Sequence, residues 1–195
     1  MAIWKDLQKG YALSLDTIKI FYKGVPKTKH NAVVQRGSTA LLDMLPPDAE
    51  VNYQELVNAL ETITDIDLVN GFLVRKEQRA SIKSLSEPIN FLIKDRLVKL
   101  GWKAESGLFK EAPYDKTNSS RWRLDFAKNS ISVEVAFNHA EAIAHNIIKP
   151  VLASELNHVQ KEIQTKLGII VTATENMKSK GNFDGAIGTF EQFIE

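Results

Sequence analysis

The clearest pattern of apolar and polar positions lies between Arg121 and Asn138. Apolar side chains take every second position on both sides of a central polar pair, which is the period-two pattern of β-strands. The two apolar series are Trp122, Leu124 and Phe126, followed by Ile131, Val133, Val135 and Phe137. Because Lys128 and Asn129 stand between the series as turn-forming residues, the stretch predicts a hairpin of two half-buried strands.

The polar positions of this hairpin place two acids on one face. With the Lys-Asn turn as the loop, Asp125 pairs with Ser132. Arg123 then pairs with Glu134, so Asp125 and Glu134 become diagonal neighbours, roughly 7–8 Å apart at the backbone. Two carboxylates so placed suit a hard, oxygen-preferring cation such as Mg²⁺. The alternative is that Glu134 forms a salt bridge with Arg123 and Asp125 caps a turn.

Apolar residues at helical spacing predict helices on both sides of the hairpin. These helices cover residues 32–45, 53–63 with Asn52 as N-cap, 86–100 with Ser86 as N-cap, 140–163 and 182–194. Pro150 is expected to kink or split the fourth of them. A strand is predicted from Trp102, and a strand buried on both faces at 167–172. The order predicts an α/β (α+β) fold, with a mixed central sheet flanked by helices and an N-terminal helical layer.

A basic segment at residues 72–84 precedes the third helix. Its cations are Arg75, Lys76, Arg79 and Lys83. Such a run is typical of a solvated face, and it is also a place where a phosphate backbone could be met. Glu87 follows in the first turn of a helix, where the helix dipole favours an acid, so a structural role is the first interpretation and catalysis the second.

Composition narrows the class of protein only modestly. The chain has 195 residues, 44% of them hydrophobic, and a net charge of +1. This length predicts a single domain over 1–195, with a mostly helical region at 1–80 and a core at 81–195. The absence of cysteine excludes disulfides and thiolate metal sites. Without a membrane-length apolar run or a signal peptide, a cytoplasmic protein is expected.

The hairpin and its neighbours resemble a known nuclease family. A helix, then a hairpin with Asp on its first strand and Glu-x-(Lys, Glu or Gln) on its second, is similar to the PD-(D/E)xK nuclease core. The nine-residue step from Asp125 to Glu134, inside the phrase LDFAKNSISVEV, looks like the BglII, BamHI and BstYI group of type II restriction endonucleases. The resemblance covers residues 85–175.

The resemblance implies Mg²⁺-dependent hydrolysis of double-stranded DNA by a homodimer. Asp125 and Glu134 would hold the metal with the backbone carbonyl of Val135. Asn138 and His139 match positions that precede a helix entering the major groove, although Asn138 is equally an N-cap. The residues expected at DNA are Arg121, Arg123, Lys128, Asn138, His139, Lys76, Arg79 and Lys83. No nucleotide cofactor or membrane partner is expected, since the chain has no phosphate loop or dinucleotide fingerprint.

One position departs from the family pattern. Ala136 stands where the family has Lys, Glu or Gln, and a methyl group neither accepts nor donates a proton. The explanations are an engineered inactive variant, a natural relative that only binds DNA, or a residue supplied from elsewhere. The candidates for such a residue are Glu87, Glu141, His139 and Lys128. The first explanation is favoured here, and it predicts that Glu, Gln or Lys at position 136 restores cleavage. An interaction domain without a DNA role is the remaining alternative.

Overall fold

The computed structural model describes residues 18–22, 33–34, 47–110, 122–137, 140–155, 160–180, 183 and 186–193. The strands are β1 (Ile18–Tyr22), β2 (Val33–Val34), β3 (Lys103–Gly107), β4 (Arg123–Lys128), β5 (Ile131–Ala136) and β6 (Leu167–Ala173). The helices are α1 (Pro47–Glu61), α2 (Asp65–Gln78), α3 (Ser86–Lys99), α4 (Ile143–Glu155), α5 (Glu175–Lys180) and α6 (Phe190–Phe193), and a 3-10 turn covers Ala140–Ala142. None of the helices in these ranges is long and apolar enough to cross a membrane.

Across the described ranges, the strands form one six-stranded sheet in the order β2-β1-β6-β5-β4-β3. Strands β3, β4 and β5 are antiparallel neighbours, whereas β5 and β6 are parallel. Parallel neighbours need a crossover connection, and α4 lies in the segment that joins them. The predicted mixed sheet flanked by helices is therefore confirmed.

Both faces of the sheet are covered. One face packs against α1 and α3, and its core cluster includes Leu56, Leu60, Ile89, Ile93, Leu97, Val133 and Ile169. The other face carries a smaller cluster of Ala136, Ile170, Phe190 and Phe193, with Ile143 against it. Strand β5 is consequently buried on both faces, and the prediction that it is half-buried is wrong.

The N-terminal helical layer is present at α1 and α2, but its boundaries differ from the prediction. Helix α1 begins at Pro47 rather than at Tyr53, and Asn52 is buried inside it instead of capping it. Proline at the first helical position has its φ angle already set for a helix, and acids in the first turn favour the helix dipole. These signals outweigh the capping potential of Asn52.

Helix α2 was not predicted from its apolar spacing. Thr64 caps it: the Thr64 hydroxyl accepts from the Asp67 amide at 3.2 Å, and the Asp67 carboxylate accepts from the Thr64 amide at 2.9 Å. This reciprocal capping box can be read directly from the Thr-x-x-Asp sequence. The basic segment thus belongs partly to the last turn of a helix.

Helix α3 agrees closely with the prediction. It runs from Ser86 to Lys99 and is followed by Gly101 at φ 84°, a left-handed conformation that glycine adopts freely. Ser86 is its first helical residue and not the N-cap, because Leu85 precedes the helix. The predicted strands at Trp102 and at 167–172 are confirmed as β3 and β6.

Three other predicted helices need correction. Val33 and Val34, inside the helix expected at 32–45, form a strand beside β1. The helix expected at 140–163 passes through Pro150 without splitting, and residues 160–163 lie outside it. In the segment 182–194 only Phe190–Phe193 is helical among the described residues. Lys161 forms an isolated bridge with Phe109, and Thr189 forms one with Ala173 of β6. These backbone pairings override the helical spacing of the apolar residues in both segments.

A glycine lets α4 approach the sheet closely. Gly168 of β6 is paired with Ser132 of β5, and a Cβ at position 168 would overlap the Pro150 side chain. Glycine permits such close backbone approach. Helix α4 therefore packs closely over β5 and β6 around Pro150.

Candidate active site

Asp125 and Glu134 face each other across the hairpin. The ladder pairs Lys128 with Ile131 and Phe126 with Val133, so the next step along both strands brings Asp125 beside Glu134. The prediction that the two side chains share a face is correct. The predicted pairing of Asp125 with Ser132 is wrong by two residues, because the partner of Asp125 is Glu134. The turn is shifted by one residue from the predicted pair, and its Asn129 has φ 47°, a left-handed conformation that asparagine tolerates well.

The Asp125 side chain is fixed by the neighbouring strand. Its Oδ2 accepts a hydrogen bond from the Val135 amide at 2.7 Å. Burial raises the pKa of Asp125, while the charge of Lys149 and the Val135 hydrogen bond oppose that rise. The Asp125 carboxylate is therefore held rigidly at the end of the ladder.

Glu134 is a fully buried acid, with 0% of its surface exposed. Burial, and then the charge of Asp125, raise the pKa of Glu134 to about 8, although Lys149 acts in the opposite direction. Lys149 forms an ion pair with Glu134 Oε2, and a hydrogen bond from the Asp125 backbone amide also favours the charged form. Acids with strongly shifted pKa values and a specific charged partner are characteristic of functional sites.

Lys149 of α4 completes this cluster and was missed by the sequence prediction. Its Nζ forms an ion pair with Glu134 Oε2 and donates to the Arg123 carbonyl at 3.1 Å. The residue is 7% exposed. A lysine between apolar residues of a predicted helix was the available signal, since buried lysines are rare unless they are paired. The structure thus pairs Glu134 with Lys149 of α4.

A third acid approaches from β3. Ala104 pairs with Phe126 and Ser106 with Leu124, which leaves Glu105 opposite Asp125. Glu105 has φ 53° and its charge contributes to the raised pKa of Asp125. A non-glycine residue in this conformation inside a strand is uncommon and clusters at functional sites. The sequence pattern did not indicate this residue.

The acids fit a hard divalent cation with few protein ligands. Among the described residues, no group of three or more acids or histidines is arranged to hold a metal ion. Mg²⁺, however, is usually held by one or two carboxylates and keeps several waters. Asp125 and Glu134 meet that need, because the contacts of Glu134 with Lys149 and the Asp125 amide leave carboxylate lone pairs for a cation.

Ala136 lies on the same face as Glu134, two residues further along β5. It is 1% exposed and packs with Ile170, Phe190 and Phe193. The space beside its methyl group is thus filled by apolar side chains. This packing is typical of a position adapted to a small residue.

Several residues that were predicted to contact DNA form bonds within the protein itself. Lys128 Nζ contacts Glu55 at 2.6 Å and the Leu100 carbonyl at 2.7 Å. Lys76 Nζ donates to the carbonyls of Ala80 and Ile82 at 2.7 and 2.8 Å. These bonds would have to break before either lysine met a phosphate.

Glu87 does not face the two acids of the hairpin. Arg75 Nη1 contacts one of its oxygens at 2.6 Å, and Arg79 contacts the other. This arrangement agrees with a structural role for Glu87. Lys83 and Glu141 are exposed, whereas Arg121, Asn138 and His139 lie outside the described residues.

Comparison with known proteins agrees with this geometry. The family model described as restriction endonuclease BglII/BglIII matches residues 40–195, which includes the helical layer as well as the hairpin. No curated protein and no solved structure gave a significant match. The match extends well before the segment 85–175 in which the sequence resemblance was evident. The chain belongs to the BglII/BglIII restriction endonuclease family.

Proposed function

We propose that this restriction endonuclease hydrolyses phosphodiester bonds at a specific sequence in double-stranded DNA and requires Mg²⁺. The observation that carries the proposal is the placement of the half-buried Asp125 directly beside the buried Glu134, with the Val135 amide holding Asp125. Asp125, Glu134 and the Val135 carbonyl are the proposed ligands. The family match supports a nuclease.

Each ligand has a defined task in this proposal. A bound Mg²⁺ would polarise the scissile phosphate and lower the pKa of the attacking water. The Val135 amide keeps the Asp125 carboxylate in one orientation. Glu134 must be deprotonated to bind a cation, and a nearby positive charge favours its carboxylate form. Burial of Glu134 strengthens the charge interactions at the site.

A homodimer is part of the proposal. A two-fold symmetric dimer presents the same surface twice and can place one acid pair at each strand of a symmetric DNA site. The residues predicted to contact DNA stay predictions. Among them, Arg123 lies on the same strand as Asp125, two residues away, which favours a position close to the bound phosphate.

The second candidate function is a non-catalytic DNA-binding protein on the same scaffold. It is motivated by Ala136, which supplies no proton-transfer group. This candidate and the nuclease share the expectation that duplex binding weakens steeply as salt concentration rises. They differ in whether bound DNA is cut.

Incubation of the purified chain with a randomised duplex pool separates these functions. We expect discrete cleavage in Mg²⁺, no cleavage in EDTA, and retained duplex binding in Ca²⁺. Asp125→Asn should lower the cleavage rate at least about a hundredfold. Asp95→Asn removes an acid that is ion-paired with Lys99 on α3 and serves as the matched control, with an unchanged rate expected.

The contrary outcomes are distinct. Salt-sensitive binding without cleavage in either Mg²⁺ or Mn²⁺ would support the non-catalytic candidate. Absence of duplex binding at low salt would favour an interaction domain without a DNA role. Cleavage that survives in Asp125→Asn would refute the assignment of this acid.

A further inference from the structure

The family pattern places a polar or basic group two residues after Glu134, and this chain has Ala136 there. On the same side of the sheet, α4 brings a lysine to the adjacent acid. Lys149 Nζ forms an ion pair with Glu134 Oε2 and donates to the Arg123 carbonyl. The ammonium group therefore contacts the same acid, Glu134, from which the family's missing group is two residues away.

We propose that Lys149 takes over the function of the missing group at position 136 and is a catalytic residue of this enzyme. This inference rests on the proposed nuclease function. A phosphate that reaches Asp125 and Glu134 must come close to the Lys149 ammonium, because Lys149 contacts Glu134 directly. Two of the three N–H donors of the ammonium are directed at Glu134 and the Arg123 carbonyl, and the third can donate to a phosphate oxygen.

The chemical step balances without proton transfer by Lys149. The water oxygen forms a bond to phosphorus, and the bond from phosphorus to one bridging oxygen breaks. The attacking water loses a proton to solvent, and the leaving oxygen gains one from solvent. Lys149 keeps its protons and stabilises the negative charge that develops on the phosphate oxygens.

Two structural features position this lysine. The Arg123 carbonyl accepts from its Nζ at 3.1 Å, which anchors the head group to β4. Gly168 lets α4 pack closely at Pro150, the residue after Lys149. Charged groups that are held in place before the reaction stabilise a transition state without reorganisation.

A competing interpretation is that Lys149 only neutralises the acids until a cation binds. In that case its removal would destabilise the metal-free protein and leave cleavage unchanged. The proposed role instead predicts slow cleavage at normal DNA affinity. A charge-retaining substitution separates the two interpretations further.

The test compares Lys149→Met, Lys149→Gln and Lys149→Arg with the wild-type chain. Single-turnover cleavage in Mg²⁺, duplex binding in Ca²⁺ and metal-free melting temperature are measured for each. We expect Met and Gln to reduce cleavage by about 10²–10³-fold, with duplex affinity within about threefold of wild type. Arg should recover part of the rate, since it keeps the charge at a shifted position.

Lys99→Met is the matched control, because Lys99 is a helical lysine ion-paired with Asp95 on the exposed side of α3. Its cleavage rate should equal that of wild type. If Lys149→Met does not melt cooperatively, the cleavage rate of Lys149→Gln is used to test the role of Lys149. This variant is expected to fold, because its amide can still hydrogen-bond to Glu134 and the Arg123 carbonyl.

Wild-type rates in a folded Met or Gln variant would overturn the role of Lys149 and leave the nuclease proposal intact. Absence of cleavage by the wild-type chain itself would overturn the nuclease proposal and the role of Lys149 with it. Equal loss in Lys149→Arg and Lys149→Met, together with weakened duplex binding, would also count against the proposal, because it indicates a structural defect.

Discussion

Replacing Glu134 with glutamine is expected to remove cleavage and, above pH 8, to stabilise the metal-free protein. The loss of cleavage should be at least about a thousandfold, because an amide cannot replace a carboxylate that holds a divalent cation. The gain in stability follows from the cost of burying Glu134 beside Asp125. Function and stability would then change in opposite directions at one residue.

The pH dependence follows from the raised pKa of Glu134. An unfolded glutamate ionises near its ordinary value of 4.5, whereas the folded one ionises near 8. Between these values the folded state binds more protons than the unfolded state, so stability falls as the pH rises. The pKa already includes the attraction of Lys149 and is still raised, so the buried carboxylate is unfavourable on balance.

Melting curves of wild type and Glu134→Gln in EDTA provide the measurement. Each pKa unit corresponds to about 1.4 kcal/mol, so the variant should gain a few kcal/mol, or several degrees, at pH 8.5. The gain should shrink as the pH falls to about 4.5 and below, where this glutamate is protonated in the unfolded state as well as in the folded state. Glu77→Gln on the exposed side of α2 is the control. An equal difference at both pH values would contradict the buried ionisation.

A lysine at position 136 is expected to destabilise the protein and to leave cleavage no faster. Ala136 is 1% exposed and packs with Ile170, Phe190 and Phe193. A lysine there must displace these side chains and bury an ammonium group. The expected loss is about 3 kcal/mol or more, measured by chemical denaturation.

This outcome would set aside the engineered-variant hypothesis and favour a group supplied from elsewhere. Ala144→Lys on α4, where the alanine is exposed, controls for the added charge in the stability measurement. Faster cleavage by Ala136→Lys, Ala136→Gln or Ala136→Glu at unchanged stability would instead support the view that the chain is an inactive variant. The rate in each variant should be compared at equal folded concentration.

The proposed site draws on two parts of the fold. The helix that crosses over between β5 and β6 contributes the cation, and the hairpin contributes both acids. Because the acids and the lysine come from different elements, the spacing between α4 and the sheet controls their contact. Gly168 permits this spacing, because a Cβ at position 168 would overlap the Pro150 side chain.

Local pattern determined several parts of this protein. The alternation of apolar and polar positions was sufficient to predict the hairpin. It also predicted that Asp125 and Glu134 share a face, since successive side chains of a strand point to opposite faces. Apolar spacing determined α3, and a β-branched run determined β6. A resemblance in the hairpin was sufficient to identify the family that the comparison confirmed.

Other features depended on contacts between residues distant in sequence, and only the tertiary structure decided them. The short N-terminal strands pair with β6 and with each other, and such pairing overrode helical spacing at Val33 and Val34. The register of the hairpin depended on the left-handed Asn129. Lys149 reaches Glu134 only because α4 packs across β5, which no spacing within the hairpin encodes. The sequence by itself thus determined that the two acids lie together. The packing of elements distant in sequence decided that Lys149 pairs with Glu134 and that apolar side chains surround Ala136.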